Sequence, residues 1–426
     1  MSTTKDNETI IVVGAGIVGS ATALALTQRG VNVLVIDRLD PGQGCSYGNA
    51  GIVAVDHIAP LANLDTLRAI PSMLFNPAGP LRLRASALAT LAPWFFRFAR
   101  ESMPTRFRAN MRALANLICA SPAAWNRLCA TGVTANVYRD TGTLYVYERV
   151  AGDADRPTIN TDEARHLANL DQYGVRYTTL SAEAVRKQYL PALKVGIDHG
   201  RFLPDMASIV NPARAVRQIM QTACSAGARF VRDDVRTVRR RAPGIIEVST
   251  PERTYCAAKV ILCGGVATRT LLKQLGRSIP LIRERGYHLM LQSPGTELLP
   301  LPVAFMRGGF TCNPMEEGVR LAGTVEFGAR DAPDWRRADM LAAHFASVFG
   351  FKGEISIASR WVGDRPTLPD YLPVIGALPD DPDVLVGTGH QHLGLTSGPL
   401  TGELLAQLVT AAPTSIDLTP FRLDRF

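Results

Sequence analysis

No two cysteines of this chain stand at C-x-x-C spacing. Cys45, Cys119, Cys129, Cys224, Cys256, Cys263 and Cys312 are scattered and odd in number. That pattern excludes a disulfide framework and a cysteine zinc centre, and it fits reduced thiols in a cytoplasmic-type compartment. No metal site is expected. No apolar run reaches the length that spans a bilayer. Met1 to Thr9 is polar and lacks the apolar segment of a secretory signal, so none is expected. Internal repeats, low-complexity tracts and RNP, zinc-finger or helix-turn-helix signatures are also missing. Nucleic acid is therefore the weakest partner class, although 46 Lys+Arg against 38 Asp+Glu give a net charge of +8. The excess points instead to anionic small molecules or a membrane surface.

What is present belongs to an ordinary globular chain: 426 residues, 46% hydrophobic and 20% charged, a length that suggests two domains. Its organising stretch runs from Ile10 to Asp37. The apolar run Ile10-Ile11-Val12-Val13 is followed by Gly14, Gly16 and Gly19 at G-x-G-x-x-G spacing. An Ala-rich segment of helical period then runs from Ser20 to Arg29, and a second apolar run from Val31 ends on Asp37. These are the parts of a dinucleotide-binding βαβ unit. Gly14 permits the tight turn, Gly16 lets backbone approach a pyrophosphate, and Gly19 lets the helix lie close to the strand. The pyrophosphate would sit on the N–H groups around Ile17 and Val18, where the helix dipole favours negative charge. Asp37, 18 residues after Gly19, is placed to accept ribose hydroxyls.

Beyond Asp37 come Arg38, a Pro41-Gly42-Gln43-Gly44 turn and Ser46-Tyr47-Gly48-Asn49-Ala50-Gly51. Small residues at this density suit a backbone pressed against a flat ligand, or an Ω-loop rich in turn formers. From Leu61 to Leu128 the period is helical, with Pro60, Pro71, Pro77, Pro80, Pro93, Pro104 and Pro122 read as breaks. Within it, residues 81–112 interleave seven arginines with Trp94, Phe95, Phe96 and Phe98 against one acid, Glu101. This is either a domain-packing helix or an amphipathic surface for anionic lipid. Strands are expected at Tyr138–Glu148, Phe230–Arg239, Ile245–Ser249 and Lys259–Leu262, the last leading into Gly264-Gly265 and a helix. Short helices are expected at Thr161–Ala168 and Ser181–Tyr189, and a longer one from Pro212 to Ala226. Arg283–Leu291, Val303–Arg307 and Val319–Gly323 imply an antiparallel sheet, and Asp331–Val348 a helix. A strand at Val384–Val386 then enters Gly387-Thr388-Gly389-His390-Gln391-His392-Leu393-Gly394-Leu395-Thr396-Ser397-Gly398, with a helix to Val409.

Together, the N-terminal glycine fingerprint, the SYGNAG loop and the C-terminal blocks GDRPTLPDYLPVIG and GTGHQHLGLTSG resemble the D-amino acid oxidase superfamily of FAD-dependent oxidoreductases, most closely bacterial D-amino acid dehydrogenases. The resemblance implies an α/β fold: a Rossmann-like FAD-binding domain with an α+β substrate domain built on an antiparallel sheet. The FAD-binding domain would take residues 1–60, 200–280 and 360–426, and the substrate domain residues 61–199 and 281–359. Gly14, Gly16, Ile17, Val18 and Gly19 would hold the FAD pyrophosphate. Asp37 and Arg38 would meet the adenosine half and Val235 the adenine. Ser46, Asn49, Ala50 and Gly51 would run beside the flavin, and Gly264 and Gly265 would close over the phosphates. Gly394, Leu395 and Thr396 would face the flavin's carbonyl edge, where helix N–H groups stabilise negative charge.

In the same resemblance Arg365, in a GxRP-like context, grips the substrate carboxylate through two parallel bonds, and Tyr287 is a second substrate-side group. The alternative for Arg365 is an ion pair with its neighbour Asp364. His57 stands where tyrosine is usual, and His392 and Leu395 replace residues that are usually threonine and tryptophan. A pocket reshaped by His57 and His392 suits cyclic D-imino acids such as D-hydroxyproline, or bulkier D-amino acids. The implied reaction is hydride transfer from Cα to flavin N5, giving an imine that hydrolyses to a 2-oxo acid or stays cyclic. A membrane quinone is one acceptor, reached from the cytoplasmic face through residues 81–112; oxygen is another. A flavoprotein subunit of a multi-chain dehydrogenase is the rival reading.

Overall fold

The computed structural model describes residues 4–5, 9–75, 81–149, 159, 161–292, 296–328 and 332–426. Pro77 and Pro80, the start of the Asp331 helix and most of the polar N-terminal segment lie outside them. A six-stranded sheet carries the glycine fingerprint. Its order is Arg229–Arg232, Val33–Asp37, Ile10–Val13, Lys259–Leu262, Asp381–Thr388 and Val374–Leu378. The first five are mutually parallel and the last is antiparallel. Ile10–Val13 is buried at every position, as expected for a central parallel strand covered on both faces. Helices Ile17–Thr27, Pro212–Ser225 and Gly394–Val409 pack together over it.

The larger sheet has nine strands. Its path runs Ile357–Thr367, Ile282–Leu291, Gly318–Phe327, Phe310–Met315, Val303–Phe305, Thr143–Glu148, Ile197–Leu203 and Thr178–Ser181. Leu81–Leu83 adds to Gly318–Phe327. The expected antiparallel pairing holds except where Val303–Phe305 meets Thr143–Glu148 and where Leu81–Leu83 joins; both are parallel. Helix Arg336–Phe349 covers one face with Leu341, Phe345 and Val348. Two expected domain boundaries cut strands, because residue 200 falls within Ile197–Leu203 and residue 360 within Ile357–Thr367.

Several local expectations are corrected. Pro71, Pro93 and Pro122 lie inside helices Leu64–Phe75, Leu88–Glu101 and Pro104–Ala130, and Pro104 occupies a first turn. A proline costs a helix one hydrogen bond. Here burial of Leu91, Trp94 and Phe98, and of Leu114, Leu117 and Trp125, outweighs that cost. Tyr138–Glu148 divides into Tyr138–Arg139 and Thr143–Glu148, and Phe230–Arg239 into Arg229–Arg232 and Thr237–Ala242. Ile197–Leu203, Ala207–Ile209, Phe310–Met315 and Ile357–Thr367 are strands that the alternation of side chains does not reveal. The last is an edge strand, which is why Pro366 is tolerated within it.

The arginine-rich stretch is mostly engaged by the fold. Arg82 pairs with Asp334, Arg84 with Glu326, and Arg100 and Arg106 with Glu101, while Arg97 donates to the Phe426 carbonyl. Trp94 and Phe98 are core; Phe96 is 75% exposed. No helix among the described residues is long and apolar enough to cross a membrane.

Candidate active site

Two cavities meet between the sheets, sharing Cys45, Asn49, Trp361 and Gln391 as walls. The first, about 590 Å³, is a groove along the C-terminal edge of the parallel sheet. Gly14, Gly16, Ile17 and Val18 form its floor. Asp37, Arg38 and Val235 border it, together with Gly264 and Gly265, and Ser46, Asn49, Gly394 and Leu395 complete it. Gly19 does not touch the groove. A Cβ there would stand 1.9 Å from the Gly14 carbonyl oxygen, so this glycine packs the helix onto the loop. Gly14 itself has φ +110°, a conformation only glycine adopts easily.

The residues present fit a dinucleotide. Helix Ile17–Thr27 begins with no side-chain cap, and its Ile17 N–H donates to Ser46 Oγ at 3.0 Å on the groove wall. A Cβ on Gly16 would meet protein only at Ser46 Oγ, 3.4 Å away, so that glycine keeps the groove clear rather than relieving a clash. Asp37 accepts from Ala15 N–H at 2.6 Å and from Leu39 N–H at 2.9 Å, which fixes its carboxylate while each oxygen retains a further lone pair.

The SYGNAG loop lies at the junction, held from the larger sheet by its carbonyls. Arg320, 5% exposed, donates to Tyr47 O at 2.9 Å and Asn49 O at 2.6 Å, and Asn313 Nδ2 donates to Ala50 O at 2.7 Å. His288 Nδ1 lies 3.2 Å from Gly48 O, and its ring stacks on Trp361. A Cβ on Gly48 would lie 2.1 Å from the Trp361 indole, so loop and wall are in van der Waals contact. Ala50 borders the second cavity. Gly51 borders neither; it has φ +76°, its carbonyl accepts from Ile209 N–H at 2.7 Å, and a Cβ there would stand 2.6 Å from Ile209 O as the chain enters strand Ile52–Val53.

The second cavity, about 880 Å³, is lined by Arg365, His57, His392 and Thr396 among others. Arg365 and Glu284 face each other across paired strands. Arg365 Nη1 donates to Glu284 Oε1 at 3.1 Å, and Thr367 Oγ1 donates to Glu284 Oε2 at 2.9 Å. Its ion-pair partner is therefore Glu284, 3% exposed, and Asp364 turns instead toward Arg283 and Arg285. The guanidinium lies over Gly286, where a Cβ would be 2.6 Å from Nη2. His57 and His392 meet edge to face at 5.1 Å between centroids. Burial, His57 and Arg365 hold the His392 imidazole well below its usual value of 6.5, so it is neutral near pH 7. Helix Gly394–Val409 starts without a side-chain cap and is pinned from the side. Trp125 Nε1 donates to Leu395 O at 3.0 Å and Thr396 O at 3.1 Å, and Thr396 Oγ1 accepts from Ala54 N–H at 3.0 Å.

Tyr287 is not part of this site. Strand alternation puts it on the face opposite Glu284 and Gly286, where its hydroxyl donates to Glu326 at 2.9 Å and accepts from Asp334 N–H at 3.2 Å. It is 1% exposed and borders neither cavity. Sequence reading passed over Trp361, Trp125, Glu284, Asp56 and Tyr145. Two carried a legible signal, since Asp56 ends the apolar run Ile52-Val53-Ala54-Val55 and Glu284 is an acid within the strand expected at Arg283–Leu291. The tryptophans carried none, because the site contacts that matter, Trp125 to the Leu395 and Thr396 carbonyls and Trp361 to Gly48, join residues more than 260 positions apart.

Burial also pushes His288 and His390 down to about 3, with Arg320 adding to the effect at His288. An imidazole whose folded pKa lies below its unfolded value binds fewer protons when folded, so it costs stability as pH falls below about 6.5. Unfolding free energies from denaturant titrations between pH 7 and pH 4.5 are expected to fall, by up to about 1.4 kcal/mol per pH unit for each imidazole. His390→Gln is expected to flatten the profile.

Comparison with known proteins agrees with this geometry. Residues 9–408 match the family described as DAO, FAD dependent oxidoreductase. A protein named D-amino-acid oxidase from Bradyrhizobium diazoefficiens is 29% identical over 98% of each chain. One named D-amino acid dehydrogenase from Paramagnetospirillum magneticum is 26% identical, again over 98% of each. Among solved structures, glycine oxidase from Geobacillus kaustophilus has the same fold, with a TM-score of 0.74 at 21% identity and 98% coverage of both chains. With the fingerprint groove, the loop that joins it to a second cavity and a match over nearly the whole length, the chain belongs to the FAD-dependent oxidoreductase family.

Proposed function

We propose that this protein oxidises D-amino acids at Cα. The observation that carries the reading is Arg365, a guanidinium braced by Glu284 at the border of a cavity contiguous with the dinucleotide groove. One nitrogen holds Glu284, and the remaining N–H donors are available to a carboxylate. Fixing the carboxylate fixes which Cα substituent faces the junction. Bound FAD, held by the groove residues, supplies the acceptor for the hydride. The chain's own groups orient the substrate: neutral His392 and the adjacent His57 form a wall beside Arg365 that adds no cationic charge from His392 next to the amine. A substrate entering as the free amine has the nitrogen lone pair needed to form the imine, so no protein base is required. Water then converts the imine to a 2-oxo acid and ammonia, or a cyclic imine persists.

Anaerobic titration of the purified yellow protein with D- and L-amino and imino acids tests this directly. Bleaching of the visible flavin band by the D series alone is expected; a protein that carries flavin and is bleached by neither series would refute the assignment and favour a partner-dependent subunit. For the electron acceptor we favour a membrane quinone. Phe96 is exposed on helix Leu88–Glu101 and Met103 in the turn that follows it, and the next helix, Pro104–Ala130, exposes Arg108 and Arg112. Salt-sensitive association with anionic vesicles is expected and should weaken in Phe96→Ser; flotation showing no association at low ionic strength counts against the quinone and leaves oxygen.

A further inference from the structure

One buried acid of the reaction cavity has no task in the chemistry above. Asp56 is 1% exposed and borders the cavity. Its Oδ2 accepts from the Tyr145 hydroxyl at 2.6 Å, while its Oδ1 has no hydrogen-bond partner. Among the described residues, the basic groups within ion-pair distance are two imidazoles, and burial lowers the pKa of one of them, His166. His57 Nε2 and His166 Nε2 each lie 3.9 Å from Oδ2, beyond hydrogen-bond reach. Neighbouring acids are already matched: Glu163 accepts from Arg201 at 2.7 Å, and Asp198 pairs with Arg149 and Arg307. A buried carboxylate without a cationic partner is costly, and a ligand cation at the cavity wall beside it recovers part of that cost.

The place of Asp56 in the cavity says which part of a ligand it meets. His392 stands near both Arg365 and His57, and His57 Nε2 lies 3.9 Å from Asp56, so the wall runs from Arg365 to Asp56 through the two imidazoles. An α-ammonium is one carbon from the carboxylate and stays on the Arg365 side. Only a long side chain crosses the imidazole pair. Tyr145 and Tyr147 also border the cavity, and aromatic faces attract cations.

We propose that Asp56 is the recognition point for a cation at the distal end of the substrate side chain, so that the cavity selects D-amino acids bearing an ammonium or guanidinium group. The inference rests on the reaction proposed above. Its test compares isosteres, D-lysine against D-2-aminoheptanoate, in which a methyl replaces the ammonium, by kcat/KM in the wild-type holoprotein and in Asp56→Asn. A wild-type preference of at least tenfold for D-lysine is expected, and the ratio should fall toward unity in the variant. A wild-type ratio near one, or a ratio that D56N leaves intact, overturns the proposal. A second readout needs no turnover. 6-Aminohexanoate and hexanoate keep the carboxylate but lack the α-amine, and their binding is followed by perturbation of the visible flavin spectrum. The amine should bind at least tenfold more tightly to the wild type; equal affinities refute the subsite even if D56N does not fold. The failures are separable. No bleaching by any D-amino acid removes the proposed reaction, whereas bleaching by neutral and basic D-amino acids alike removes only the Asp56 subsite.

Discussion

Replacing Arg365 by methionine lowers kcat/KM by about a thousandfold, roughly 4 kcal/mol of transition-state stabilisation, if this guanidinium holds the substrate carboxylate. The size follows from two losses. The charge-assisted fork disappears, and with it the orientation of Cα toward the junction of the cavities. Arg365→Lys keeps the charge but not the planar fork, and is expected to lose about ten- to a hundredfold. Stability should respond as well. Glu284 is 3% exposed, and without Arg365 its carboxylate keeps, among the described residues, the Thr367 hydroxyl as its donor. Breaking a buried pair by removing one partner costs about 3–5 kcal/mol. The double variant Glu284→Gln with Arg365→Met should therefore recover stability but not activity. Steady-state kinetics and urea denaturation of the three proteins check this. If Arg365→Met keeps wild-type kcat/KM, the carboxylate binds elsewhere.

Two alanines in the glycine fingerprint should have opposite phenotypes. Gly19→Ala drives a methyl to 1.9 Å from the Gly14 carbonyl, a backbone atom that cannot rotate away. Helix Ile17–Thr27 is buried along its whole length, so it cannot shift without opening the parallel sheet. A loss of at least about 3 kcal/mol in stability is expected, with most of the protein insoluble or colourless. Gly16→Ala meets only Ser46 Oγ at 3.4 Å, so the apoprotein should fold with a melting temperature within a few degrees of wild type. Its methyl instead projects into the groove, and FAD affinity should fall at least about a hundredfold, roughly 2.7 kcal/mol. Thermal melts of the apoproteins and titration with FAD separate the two effects. Equal FAD affinity in Gly16→Ala and wild type would move the pyrophosphate out of this groove.

The difference between those glycines also marks how far one-dimensional reading reaches. The fingerprint spacing identifies a βαβ unit because its three glycines, helix and strands are local, and local order needs no knowledge of the rest of the chain. Strands Ile245–Ser249 and Lys259–Leu262 were legible in full for the same reason. Ile357–Thr367 was not: it is an edge strand whose residues are only partly buried, so charged and apolar residues do not alternate cleanly. That strand supplies both Trp361 and Arg365 to the cavities.

Sequence alone determined that a dinucleotide groove exists, that the chain returns to it near Gly394, and that an arginine at 365 is available. Tertiary structure decided the partners. It gave Arg365 to Glu284 rather than to adjacent Asp364, because cross-strand register sets side chains facing while neighbours along one strand point to opposite faces. The same rule removed Tyr287 from the site and turned it toward Glu326. It also joined His57 to His392 and Asp56 to Tyr145 across 335 and 89 residues respectively, contacts that depend on how the loops and sheets pack and that no local pattern encodes.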